Sequence, residues 1–277
     1  MLITWQASSA ARAAASCEVA VVLVDRGSPT TSIFGPEPAN AMPILAFDCC
    51  FSAVSAAVLD FDLHAENRVL ASRFEAMATG QAERLFPLLT EVMREAGVTF
   101  PDLTAVAVTV GPGTFTGIRT GVAAARGLAL ARGLPVLAMS SLALLARTAM
   151  SERKLHDTAT GSTLAVAMDA RQGLVFFQAF SAVDRMPLSE PALLSPSEAI
   201  AQLPSGPILA VGSASATLVA ASLSAGHAAK AALQELLPDV RWTSRSDLAK
   251  AAPPSPLYLR QPDARPQTGA SLPRATP

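Results

Sequence analysis

The chain has 277 residues, 51% of them hydrophobic and 16% charged, with a formal net charge of -1; that is enough apolar chain to give each of two α/β domains a core. The charge balance argues against a domain that grips nucleic acid alone, because such domains usually carry a basic surplus, so any RNA contact has to be local or shared with a partner. Three cysteines, two of them adjacent at Cys49 and Cys50, give neither a disulfide framework nor a zinc-type spacing, and no apolar run reaches the roughly 18 to 20 residues of a membrane span, so a cytoplasmic globular protein is expected.

Residues 1–42 are rich in Ala, Ser, Thr and Pro, and their Ala14-Ala-Ser-Cys17 string lacks the apolar stretch that a signal sequence needs. They read as a poorly ordered extension or a start-site artefact, with Met42 as the alternative start. From Ile44 the pattern is β-rich: a buried strand over 44–50, its antiparallel return over 52–59 and a third strand over 68–74. Leu85, Leu88, Leu89, Val92 and Ala96 then fall at helical spacing, with Glu83, Arg84, Glu91 and Arg94 on the wetter sides, and Pro87 must begin that helix or bend it. A strand over 104–110, a helix from about Thr116 to Arg132, a strand over 135–139 and a helix over 141–150 complete the order βββαβαβα. After a polar linker over 151–161 the pattern partly repeats: strands over 164–168 and 174–180, a short helix near 197–201, a strand over 208–212 and a helix after Ser213. The expected division is a first domain over 43–150, a smaller one over 151–262 and a disordered tail over 263–277.

The segment Val110-Gly-Pro-Gly-Thr-Phe-Thr-Gly-Ile-Arg119 joins a strand to a helix through a tight turn. Gly111 and Gly113 reach backbone angles closed to other residues, Pro112 fixes φ between them, and Thr114 or Thr116 can cap the helix. Such a turn suits an anion or a closely packed partner. Gly117, Gly121 and Ala125 are four apart and make a smooth helical face, while Arg119 and Arg126, seven apart, lie roughly opposite. Helix-interior glycines cost about 1 kcal/mol each relative to alanine, and close packing is the natural compensation, within the domain or against another helix.

The chain resembles the TsaB (YeaZ) family of tRNA threonylcarbamoyladenosine biosynthesis. The resemblance lies in Ile44-Leu-Ala-Phe-Asp48, Leu85-Phe-Pro-Leu-Leu89, the 110–119 string, Met139-Ser-Ser-Leu142, Met168-Asp-Ala-Arg171 and Leu257-Tyr-Leu-Arg260, in the expected order over about residues 43–262. It implies an α/β, actin-like (sugar kinase/Hsp70-type) fold of two related domains. It also implies a non-catalytic partner subunit that binds the catalytic paralogue TsaD, with the ATPase TsaE joining them, and that meets tRNA only through the complex. ATP is used by the complex, and no cofactor is expected on this subunit; a homodimer through the same surface is left open. On this reading Gln81, Leu85, Leu88, Leu89, Gly117, Gly121 and Ala125 form the partner interface. Gln81 stands where the family commonly has a histidine, which leaves the helix face in place without the imidazole.

The rival reading is an actin-like-fold ATPase or small-molecule kinase. It needs Asp48 to help hold a metal and donors such as Gly111, Gly113 and Thr114 near a phosphate. Cys49 and Cys50 replace the hydroxyls usual in the family, removing the hard-oxygen contacts that a phosphate-bound metal prefers. Asp48 more simply satisfies backbone groups at a strand end, and the Val211-Gly-Ser213 turn can approach a nucleotide base but is more often just a connection. His64, His156 and His227 lack the i, i+4 spacing of a helical metal site, so no metal site of that type is expected. Asp169 and Arg171 are expected to pair and brace a hairpin of the second domain, with contact of Arg171 to tRNA or a partner as the lesser alternative.

Overall fold

Leu45 and Phe47 point to one side of β1 (Pro43–Asp48) and Ile44 and Ala46 to the other, and all four are buried, because this strand lies inside a sheet covered on both faces. The structure is a computed structural model and describes residues 42–60, 68–151, 162–225, 229–233, 237–243, 249–250 and 254–260. Apart from Met42, the N-terminal extension lies outside these residues, as do the linker beyond Ser151, the tail and the three histidines.

The first sheet has the order β3-β2-β1-β4-β5-β11, built from β1, β2 (Ala53–Asp60), β3 (Arg68–Ala76), β4 (Ala105–Thr109), β5 (Val136–Met139) and β11 (Ala249–Lys250). β1, β2 and β3 form an antiparallel meander, and β4 and β5 run parallel to β1. Helices α1 (Gln81–Ala96) and α2 (Phe115–Arg132) cover one face, where Leu85, Leu88, Leu89 and Val92 meet Leu45, Phe47, Val106 and Val108. Arg84 pairs with Glu75 and Glu91, and Arg73 with Glu91 and Glu95, so an ion-pair network ties α1 to β3. α1 starts at Gln81, so Pro87 does not begin it and lies inside it, where its missing N–H leaves one helical carbonyl without its usual donor.

The second sheet has the order β10-β9-β6-β7-β8, from β6 (Thr163–Asp169), β7 (Val175–Ser181), β8 (Ala192–Leu194), β9 (Ile208–Val211) and β10 (Ala229–Leu233). α4 (Pro196–Ala201) and α5 (Ser215–Ser224) pack on one face. α3 (Ser141–Ser151) packs on the other, joining Leu142, Leu145 and Ala149 to Leu164, Val166, Leu209 and Val211. Strand by strand, β6-β7-β8-β9-β10 repeats the order of β1-β2-β3-β4-β5, which is the actin-like arrangement of two related lobes.

The expected boundary between a 43–150 and a 151–262 domain is crossed by the chain. β11 returns to pair with β5 of the first sheet, and Val240 is buried against that sheet's second face. All the described residues fall in one compact unit. Two- and three-residue strands such as β11 and β8 carry too few alternations for a sequence pattern to reveal them.

Candidate functional site

The Gly-Pro-Gly turn leaves β4 with Gly111 at φ 106, passes through a cis Gly111–Pro112 bond, and enters α2 at Thr114. Thr114 is the cap: its side chain accepts from Gly117 N at 3.2 Å, while its own N–H donates to Cys50 O at 2.7 Å. The contact with the β1–β2 turn is backbone on backbone. A Cβ at Gly113 would stand 2.4 Å from Cys50 O, one at Gly117 2.0 Å from Cys49 O, and one at Gly121 3.3 Å from Cys49 Sγ. The small-residue face of α2 is therefore occupied by its own domain.

The expected partner interface needs correcting on this point. Gly117, Gly121 and Ala125 are buried against β1, β4 and the Cys49 turn. Leu85, Leu88 and Leu89 fill the core beneath α1. Gln81 donates from Nε2 to Phe51 O at 3.3 Å and Met77 O at 3.1 Å, bracing the start of α1 on the β1–β2 turn. Helical spacing reveals that a face is apolar or small, but not which side of the helix the sheet takes. The opposite side of the same two helices displays the surface that sequence reasoning missed. Phe86 is 52% exposed and sits over a shallow apolar depression of about 460 Å³ with Ala123, Gly127, Leu128 and Ala131 of α2. A second depression of about 480 Å³ adjoins it, sharing Phe86, Phe100 and Leu128.

Asp48 ends β1 fully enclosed. Its Oδ1 accepts from Thr109 Oγ1 and, at 3.4 Å, from Cys50 N, while Oδ2 has no partner. Burial raises its pKa to about 6 against the opposing pull of the Thr109 bond. Burial likewise lifts the Cys49 thiol to about 12, with the neighbouring Asp48 charge adding to the effect, and it holds Cys50 well above its ordinary range. Both thiols look inward, Cys49 Sγ to Gly117 O at 3.3 Å and Cys50 Sγ to Thr109 Oγ1 at 3.2 Å. These residues do not fit a nucleotide phosphate and its metal: the carboxylate is sealed, soft thiols follow it, and the start of α2 lies on the turn. Among the described residues no group of three His, Cys, Asp or Glu is placed to hold a metal ion.

A cavity of about 260 Å³ opens beside this joint, between Phe51, the start of α2, the β6–β7 turn and the segment Leu257–Arg260. Of the four candidate phosphate contacts, Gly113 and Thr114 line it, whereas Asp48 and Gly111 do not; Gly111 lies under Leu257, whose N–H donates to Val110 O at 2.7 Å. Asp169 and Arg171 both line it, but they are not an ion pair. Asp169 Oδ1 accepts from the Arg171 backbone N–H at 3.0 Å, which leaves the guanidinium with no partner among the described residues. Gly212 approaches Ala167 O and Ser213 Oγ accepts from Asp169 N at 2.9 Å, so the 211–213 turn is a brace on β6. Tyr258, with its ring 5.2 Å from Phe115, and Arg119, with Cζ 3.6 Å over Phe115, complete the rim.

The family profile of TsaD, tRNA N6-adenosine threonylcarbamoyltransferase, matches residues 75–217, from the end of β3 into α5. An uncharacterized protein of Mycobacterium tuberculosis is 34% identical over 224 residues, covering 80% of this chain and 94% of that protein. The tRNA threonylcarbamoyladenosine biosynthesis protein TsaB of Escherichia coli is 31% identical over 137 residues, 49% of this chain and 54% of that protein. The chain belongs to the TsaB (YeaZ) family. The solved structure of YeaZ from Pseudomonas aeruginosa, 26% identical, superposes with a TM-score of 0.61 over 79% of this chain and 100% of that one. In this chain the Gly-Pro-Gly string is a packed joint, and its neighbour, the outer α1–α2 surface, an open one. Among the described residues no helix is long and apolar enough to cross a membrane.

Proposed function

We propose that the chain takes part in tRNA threonylcarbamoyladenosine biosynthesis as a non-catalytic subunit that binds and supports the catalytic paralogue TsaD, with TsaE joining the pair. The observation that carries this reading is the outer face of α1 and α2, where Phe86, Ala123, Gly127 and Ala131 leave adjoining apolar depressions open to a second pair of helices. Small residues on α2 let a partner helix approach closely, and Phe86 offers an aromatic anchor. The kinase or ATPase alternative requires a reachable Asp48, and this carboxyl is sealed beneath the β1–β2 turn.

Purified chain and TsaD, mixed and followed by sedimentation, are expected to form a complex that Ala123→Glu weakens by about 100-fold or more, the effect of burying an unpaired carboxylate in an apolar interface. tRNA modification by TsaD should fall with it. Full-affinity binding of the variant, or unchanged modification with the chain left out, overturns the proposal.

A further inference from the structure

The cavity beside α2 has a chemistry that the partner role does not use. Although the whole chain is close to neutral, Arg171 and Arg260 line this cavity, Arg260 also donating to Ala170 O, and the single carboxylate among its described lining residues, Asp169, already accepts a backbone N–H. Arg119 stands at the rim and Arg126 seven residues further along the same side of α2. Arg119, Arg126 and Arg171 form no ion pair with any described carboxylate, so the region is a local cationic track. Arg119 lies over the Phe115 ring and donates from Nε to Tyr258 Oη at 3.0 Å, which fixes two aromatic rings and a guanidinium as one platform, with Tyr258 40% exposed.

We infer that this cavity and platform form an RNA contact site, in which an unstacked base of a single-stranded stretch rests on the Tyr258–Phe115–Arg119 platform and the flanking phosphates lie against Arg171 and Arg260. The inference rests on the assignment of the chain to tRNA modification. Splayed bases of loops are recognised by aromatic and guanidinium planes, with arginines tracking the backbone, whereas a duplex keeps its bases stacked and out of reach of a pocket. A free nucleotide fits less well, because the charged track runs out of the cavity along α2 instead of closing around one phosphate group.

The test is fluorescence anisotropy of a labelled anticodon stem-loop RNA, with the full chain alone and in complex with TsaD, over a salt series. Arg171→Glu is expected to weaken binding about tenfold and to reduce the slope of log affinity against log salt by about 0.7, the value for one phosphate contact on a single strand. Tyr258→Ala should weaken binding about tenfold through lost stacking, while Tyr258→Phe, which keeps the ring, should not. No RNA binding by chain or complex, equal binding by all the variants, or displacement of the RNA by micromolar AMP each overturns the site. TsaD binding measured on the same variants separates the two proposals: variants that bind TsaD normally and RNA normally sink the RNA site alone, and a wild-type chain that binds RNA but not TsaD sinks the partner role alone.

Discussion

The β1–β2 turn of the first lobe and the β6–β7 turn of the second occupy corresponding places in a repeated topology. In each, an aspartate closes the first strand, and a glycine lets a later turn press its backbone on that strand's end: Thr114 N–H donates to Cys50 O beside Gly113, and Ala214 N–H donates to Ala167 O beside Gly212. The surroundings then diverge. Asp48 is sealed among Thr109 and two inward thiols, while Asp169 and Arg171 face a cavity. One repeat has become a joint and the other an open wall, so topology alone does not tell which aspartate is open to solvent; burial does.

Gly117→Ala should break the joint outright. The added Cβ meets a backbone carbonyl at 2.0 Å, which no rotamer change relieves, so a loss of at least about 3 kcal/mol is expected in urea unfolding; wild-type stability in this variant contradicts backbone-to-backbone packing. The second effect is a pH dependence. In the folded chain the Asp48 pKa is raised from 3.8 to about 6, so the folded state keeps its proton over a range where the unfolded chain has lost it. The contribution of Asp48 to stability is then greatest below about pH 4 and falls by on the order of 3 kcal/mol as pH rises through about 6, and Asp48→Asn should remove that decline. Parallel stability–pH curves for the two proteins mean that Asp48 ionises freely. The smallest effect belongs to the open turn: Gly173→Ala, at φ +74 with nothing near its Cβ, should cost about 1 kcal/mol from backbone conformation alone. A loss equal to that of Gly117→Ala shows that the two turns are equally constrained.

Much of this architecture was legible in the amino-acid order. Near-continuous apolar runs in 44–48 and 104–110 mark strands buried on both faces, and the recurrence of two adjacent strands, a later strand and a helix after Ser162 marks the second lobe. The site was less legible. The Gly117–Gly121–Ala125 face was readable as a packing surface, but its choice of partner depends on the side from which the sheet approaches. Arg171 reads as a mate for Asp169 because sequence shows two opposite charges and not the backbone N–H that the carboxylate takes. Tyr258 reaches Arg119 from 139 residues away, a separation over which no local pattern operates. Phe86 was hidden by its neighbours, since Leu85, Leu88 and Leu89 carry the periodic signal and all point inward.

The segment Pro254–Arg260 holds Arg126 through the Pro254 carbonyl, Val110 through the Leu257 N–H, and Ala170 of the second lobe through the Arg260 guanidinium. During synthesis on a ribosome the chain emerges from its N-terminal end, so the first sheet, its turn and α2 leave the tunnel long before this strap does. The first lobe therefore waits, with its edge strand β11 absent and the Gly111 backbone uncovered, until the second lobe has been made. Its completion is timed by the arrival of Pro254–Arg260.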